Sequence, residues 1–183
     1  MNLEEKTVES NLIFSGRVIN LRTDVVLLPD GNMAGREVVE HPGGVCVAAI
    51  DDEDNILLVK QFRYPYKEAI LEIPAGKRDK AGDNDPLTCG KRELKEETGA
   101  TAKQYMSLGK LYPTPGYCNE VIYMFAAKNL TFGEQCTDED EFLDVIKMPF
   151  EKAVQMVTSG EIKDAKTQTA ILKLKILKDN NKF

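Results

Sequence analysis

The stretch Arg92-Glu93-Leu94-Lys95-Glu96-Glu97 sets three carboxylates and a guanidinium within two turns of one predicted helix. At helical spacing Glu96 lies about 60° to one side of Glu93 and Glu97 about 40° to the other, so all three share one arc beside Arg92. Such an arc is compatible with a plain solvated face, because exposed like-charge pairs cost only a few tenths of a kcal/mol each. A second acidic run, "TDEDE" at 137–141, holds Glu139 and Glu141 and reads on composition alone as a solvated loop. The elements that carry these residues must decide.

Asp85-Pro86 places a capping side chain before a proline at the first helical position, and Gly99 supplies the stop. Leu87 and Leu94 give this helix an inward face distinct from the glutamate arc. Strands are predicted at about 18–28 and 35–40, joined across Asp30-Gly31-Asn32. "VCVAAI" (45–50) and "ILLVKQF" (56–62) flank "DDEDN", which reads as a solvated hairpin tip, and "AILEIP" (69–74) is a strand ended by Pro74. Further strands are predicted at about 103–112, at about 120–127 and over "FLDVIKM". Phe150, Ala153, Val154 and Val157 mark one amphipathic helix. Ala170, Leu174 and Leu177, with Asp164 as cap, mark another. The class is mixed α/β (α+β), a mixed sheet flanked by helices.

With 183 residues, 42% of them hydrophobic, the chain can bury a real core, and the size favours one domain with at most a small appendage. Net charge is −6, which argues against nucleic acid or an anionic membrane surface as partner. A small anionic substrate remains open and would need a local arginine or metal. Cys46, Cys89, Cys118 and Cys136 show no CxxC and no metal-ligand spacing, the pattern of reduced intracellular thiols. The amino end, "MNLEEKTVESN", is polar and acidic, and no apolar run is long enough to span a membrane. The expectation is a soluble cytoplasmic protein. One histidine, His41, removes HExxH and histidine-based phosphotransfer chemistry, and before Pro42-Gly43 it reads as structural.

Gly76 followed downstream by "RELKEETGA" (92–100) resembles the Nudix box, matching at Arg92, Glu93, Leu94, Glu96, Glu97 and Gly99. "EIPAG" before the box, "PTPG" after it and "DEDEF" in the late loop are similar to the ADP-ribose pyrophosphatase branch of the Nudix hydrolase family. So is "FSGRVINL … LPDG … REVVEHPG", and the likeness covers about 14–178. The resemblance implies a Nudix fold, an α/β/α sandwich, with an N-terminal β-hairpin region at 1–41 and a hydrolase domain at 42–183. It also implies a cytoplasmic homodimer with exchanged amino-terminal strands.

The implied activity is Mg²⁺-dependent hydrolysis of ADP-ribose to AMP and ribose 5-phosphate, with Mn²⁺ as a substitute metal. Another nucleoside diphosphate sugar such as a GDP-hexose, or a nucleotide-sensing module without catalysis, remain alternatives. By the same resemblance the metal ligands are Glu93, Glu97, Glu141 and the backbone carbonyl of Ala75. Glu96 is a further ligand through water or a partner for Arg92, and Glu139 is the general base. Arg36, Arg63, Pro115 and Glu120 are the substrate contacts. The box also departs from the pattern: fifteen residues separate Gly76 from Arg92 where the family has thirteen, and Asn84 stands where an upstream glutamate is usual.

Overall fold

The computed structural model describes residues 2–79, 85–137 and 141–183. They fall into two units, one of Met1–Gly43 with Tyr112–Val121 and one of Gly44–Leu111 with Ile122–Phe183.

The smaller unit is a three-stranded antiparallel sheet in the order β1 (Lys6–Ser15), β2 (Asn20–Leu27), β3 (Met33–Glu40). Gly31, at φ 89°, turns the β2–β3 hairpin and donates its N–H to the Leu28 carbonyl at 3.0 Å. The two strands expected here are therefore three. β1 lies in a segment whose polar, acidic composition gave no strand signal, and every one of its residues is exposed. Its pairing with β2, from Lys6 opposite Leu27 to Ser15 opposite Asn20, rests on backbone hydrogen bonds that need no buried face. The "PTPGYCNE" segment joins this unit through β3, where Val39 N–H donates to the Tyr117 carbonyl at 2.7 Å and Asn119 N–H to the Val39 carbonyl at 3.1 Å.

The larger unit is organised by β4 (Gly44–Ala49), whose six residues are all buried. A strand covered on both faces reads as a continuous apolar run rather than an alternation. Cys46, Ala48 and Ile50 face a core completed by Phe150, Ala153, Ala170, Ile171 and Leu174. Val47 and Ala49 face the opposite way, onto Leu57, Leu94, Ala100, Phe125 and Ala127. Helices thus cover both sides, α1 (Pro86–Thr98) on one and α2 (Phe150–Thr158) and α3 (Ala165–Asp179) on the other.

Two sheets share the space between these helices. β7 (Ala75–Lys77), β4, β9 (Ile122–Phe132) and β8 (Ala100–Leu111) form a mixed sheet in that order, with β4 and β9 parallel. β10 (Leu143–Pro149), β5 (Asn55–Arg63) and β6 (Glu68–Glu72) form an antiparallel one. β7, three residues long, was not anticipated, because a strand so short after Pro74 carries no periodicity. The "DDEDN" tip is a tight turn as expected, though Asp51 is buried at its base. Its Oδ1 accepts the N–H groups of Glu53 and Asn55 at 3.0 and 2.8 Å, and Lys147 pairs with its Oδ2 at 2.6 Å. No helix among the described residues is long and apolar enough to cross a membrane.

Candidate active site

The acidic helix begins and ends where local chemistry sets it. Asp85 accepts the N–H groups of Leu87 and Thr88 at 3.3 and 3.0 Å, Pro86 occupies the first turn, and Gly99 closes the helix at φ 69°. A side chain at 99 would stand 2.3 Å from the Gly133 carbonyl oxygen, so glycine is required there for space as well as for conformation. Three contacts then fold residues 133–136 back onto the helix end. Gly133 N–H donates to the Gly99 carbonyl at 2.8 Å, Cys136 N–H to the Glu96 carbonyl at 2.9 Å and Gln135 Nε2 to the Glu97 carbonyl at 2.8 Å. They satisfy carbonyls that a helix C-terminus otherwise leaves open.

The glutamate arc does not stay together on one outer face. Glu93 and Glu97 are 7% and 3% exposed, as inward as Leu94, whereas Glu96 is half-buried and turned to Arg92. The expected separation between an apolar inward face and the carboxylate arc is therefore corrected. The inward face widens because Glu93 and Glu97 meet backbone of β7, where a carboxylate finds hydrogen-bond donors and no side chain obstructs it. Ala75 N–H donates to Glu97 Oε2 at 3.1 Å. A Cβ on Gly76 would lie 2.0 Å from Glu93 Cδ, so the Glu93 carboxylate occupies the space that glycine leaves open. Arg92 donates from Nη1 to Glu96 Oε2 at 2.7 Å and pairs through Nη2 with Glu93 Oε1 at 2.8 Å. Of the two roles open to Glu96, the geometry shows the Arg92 partner.

Burial raises the Glu97 carboxyl to about 8. The Ala75 N–H opposes that shift, and the neighbouring charges of Glu93, Glu141 and Glu72 add to it. A buried carboxyl surrounded by carboxylates, paired to no cation among the described residues, keeps its proton to higher pH, and a cation bound beside it would favour the ionised form instead. Among the described residues no three acidic, histidine or cysteine side chains already stand in metal-binding geometry. The donor chemistry nevertheless fits a hard divalent ion: all the candidate ligands are oxygens, they come from α1, β7 and the loop before β10, and the carboxylates around Glu97 leave its ionised form in want of a positive charge. The structure seats Glu97 on Ala75 and Glu93 on Gly76, side by side on β7, and the charge of Glu141 acts on Glu97. Glu139, Asn84 and part of the lengthened loop lie outside the described residues.

Arg63 ends β5 and donates from Nε and Nη2 to the two carboxylate oxygens of Glu72, at 2.5 and 2.7 Å. Glu72, at the end of β6, is 1% exposed, and it also accepts from Lys166 Nζ. Burial pushes the Glu72 carboxyl up, but the hydrogen bond from Arg63 and the charge of Lys166 outweigh it and hold the group below its ordinary value. Neither Glu72 nor Lys166 was found from the sequence. Glu72 left a trace as the lone charge inside "AILEIP"; Lys166 left none.

In the smaller unit, Arg36 pairs with Glu5 at 2.5 Å, Pro115 is exposed, and Glu120 Oε1 lies 3.4 Å from His41 Nδ1. Arg36, Gly35, Tyr117 and Gly116 help line a cavity of about 630 Å³. Of the cysteines, Cys46 is sealed in the core, where burial pushes its thiol up to about 12, and Cys89 is also buried.

A mixed sheet between helices, with a capped acidic helix seated on the glycine of a short strand, is the arrangement of a Nudix hydrolase. The NUDIX domain model matches residues 40–169, and the chain belongs to the Nudix family. Among characterised relatives it is 45% identical to the ADP-ribose pyrophosphatase of Bacillus subtilis (strain 168) over 177 residues, covering 96% of this chain and 95% of that protein. It is 42% identical over 175 residues to the methanol dehydrogenase activator of Bacillus methanolicus, covering 94% of each. It is 32% identical over 142 residues to the GDP-mannose pyrophosphatase of Yersinia pestis (strain Pestoides F), covering 72% of this chain and 70% of that one. The crystal structure of an "ADP compounds hydrolase" superposes over the whole of both chains with a TM-score of 0.85 at 19% identity, a shared fold.

Proposed function

We propose that this protein hydrolyses the pyrophosphate bond of ADP-ribose to AMP and ribose 5-phosphate, with Mg²⁺ as cofactor and Mn²⁺ able to replace it. The observation that carries this reading is the seating of Glu93 on Gly76 and of Glu97 on Ala75 N–H, in a chain 45% identical to an ADP-ribose pyrophosphatase. The Ala75 carbonyl, Glu93, Glu97 and Glu141 would hold the metal. When bound, it supplies charge shielding at the pyrophosphate and acidifies the attacking water. Arg92, shared between Glu93 and Glu96, fixes the Glu93 carboxylate in its seat. Glu139 takes the proton of the attacking water. Arg63 faces the substrate with the guanidinium edge that Glu72 leaves free; Arg36, Pro115 and Glu120 complete the contacts, Glu120 at the terminal ribose hydroxyls.

The protein would act in the cytoplasm, without nucleic-acid or membrane partners, as a homodimer in which residues 1–41 pair across the two copies and 42–183 form the hydrolase domain. Supporting the dimer, β1 holds Val8, Leu12, Ile13 and Phe14 at 55–61% exposure, side chains that a second copy would cover.

The resemblance to a GDP-mannose pyrophosphatase favours a second reading, hydrolysis of a GDP-hexose. Purified protein with Mg²⁺ and a panel of nucleotide sugars, products separated by anion exchange, decides between them. ADP-ribose should give AMP and ribose 5-phosphate at the highest kcat/KM. Preference for the GDP sugar would install the second reading, and no turnover on any of them would leave a nucleotide-sensing module.

A further inference from the structure

Behind the proposed substrate arginine stands a chain of charges that the reaction itself does not explain. Glu72, 1% exposed, takes two hydrogen bonds from Arg63 and one from Lys166. The Lys166 ammonium, itself 11% exposed, turns its other side to Asp164 at 3.0 Å. Asp164 is fixed in turn. It caps α3 by accepting from Thr167 N and Thr167 Oγ1 at 2.9 and 2.5 Å, and Thr167 Oγ1 accepts the Ile73 N–H at 2.9 Å. The first turn of α3 is thereby bolted to the end of β6, two strand-ends from Arg63.

Arg63 spends only Nε and one Nη2 proton on Glu72. Its Nη1 protons and the second Nη2 proton have no protein partner among the described residues, and its side chain is 39% exposed. An arginine held rigidly by one edge presents the other as a planar fork suited to a phosphate. The charge count then matters. Arg63 and Glu72 alone make a neutral pair in which the Glu72 carboxylate offsets the guanidinium at short range. Lys166 supplies the extra positive charge, and Asp164 offsets it, so the four groups sum to zero.

We propose that Lys166 is a positioning residue for the substrate anion: it neutralises Glu72 so that the free edge of Arg63 keeps its charge for the pyrophosphate, and Asp164 sets how much of that charge is felt. This rests on Arg63 being a substrate contact. Changing one member of the quartet then changes substrate affinity with a sign fixed by the charge. Lys166→Met makes the sum −1. Asp164→Asn makes it +1 while keeping the helix cap, for which asparagine serves as well as aspartate.

The test measures kcat and KM for ADP-ribose over a range of ionic strength in Lys166→Met, Lys166→Arg, Asp164→Asn and Arg63→Gln. Lys166→Met should raise KM about tenfold, the order of one unit charge roughly 12 Å from an anion at an effective dielectric of about 20. Asp164→Asn should lower KM by about threefold, and Lys166→Arg should restore it to within about twofold, with kcat within about threefold throughout. The KM differences should shrink as salt rises. A merely structural role would lower kcat and the folded fraction and would leave no opposite signs. If Arg63→Gln raises KM while Lys166→Met and Asp164→Asn leave it unchanged, Arg63 stands as a contact and the proposal is overturned. If Arg63→Gln leaves KM unchanged, the reading of Arg63 fails and takes the proposal with it. Should Lys166→Met not fold, Asp164→Asn still decides, since a KM that holds or rises refutes the charge argument.

Discussion

Gly76→Ala is the sharpest perturbation of the proposed metal site, because the structure fixes what must move. The added Cβ would lie 2.0 Å from Glu93 Cδ, 2.1 Å from Oε1 and 2.4 Å from Oε2, against an ordinary contact of 3.4–4 Å. The carboxylate must therefore retreat by about 1.4 Å, the difference between 3.4 and 2.0 Å, or β7 must shift. The obstruction is the free end of a side chain, so the cheaper response is for Glu93 to leave its seat. Overpacking costs about 1–3 kcal/mol, and replacing a strand glycine returns about 0.5–1 kcal/mol. The expected net loss in stability is about 0–2.5 kcal/mol. Catalysis should suffer more, since a displacement of about 1 Å in a positioned group costs about a hundredfold, or about 2.7 kcal/mol of barrier. Urea unfolding in EDTA gives the first quantity, and initial rates across a Mg²⁺ titration give the second. Gly133→Ala, whose Cβ meets only the Gly99 carbonyl oxygen at an ordinary 3.6 Å, serves as the control. Turnover within threefold of the parent protein at an unchanged Mg²⁺ requirement would refute the reasoning, because Glu93 could then not depend on that seat.

Glu139→Gln should lower kcat by about two to four orders of magnitude with little change in substrate or metal affinity; near-parental turnover would remove Glu139 from the mechanism. Glu97→Gln should raise the Mg²⁺ concentration for half-maximal rate, and an unchanged titration would make Glu97 a structural carboxylate only. Because the Glu72 carboxyl is held below its ordinary 4.5, the stability it contributes is present above that value and is lost as pH falls through the lowered one. Glu72→Gln should therefore be less stable than the parent at pH 7, with the gap narrowing as the pH is taken down through and below the ordinary 4.5, and a gap in urea midpoints that stays the same on acidification would contradict this. Light scattering at micromolar concentration should return the mass of two chains; the mass of one would leave the apolar side chains of β1 unexplained.

Much of the machinery was legible because it is local. Asp85, Pro86 and Gly99 bracket α1 by capping chemistry that acts within one turn, and "VCVAAI" announces a strand buried on both faces. β1 was not legible, since a strand exposed along its whole length has no alternation to read. The burial of Glu93 and Glu97 was also hidden. Leucine spacing locates one inward face, but nothing in the helix says that a strand backbone bare of side chains lies beside it. The glycine at 76 was visible as a motif position, and its physical purpose emerged only with the carboxylate resting against it. Lys166 was beyond reach, because its partner Glu72 lies 94 residues away and surface lysines in a first helical turn are ordinary.

The ties between residues 133–136 and the end of α1 make the helix anchored at one end. Its rotation and height over β7 are set at its C-terminal end by contacts to the carbonyls of Glu96, Glu97 and Gly99, and along its length by the buried Gly90 and Leu94. The contacts that seat the helix on β7 lie within it and beyond its end, not in the chain ahead of Asp85. On that footing the two extra residues between Gly76 and Arg92 are expected to leave the register of Glu93 and Glu97 against β7 unchanged. By the same logic, the stretch before Asp85 is where this scaffold can accept a foreign peptide, and the stretch from Gly99 to Gly133 is where a single deletion would turn the helix away from its strand.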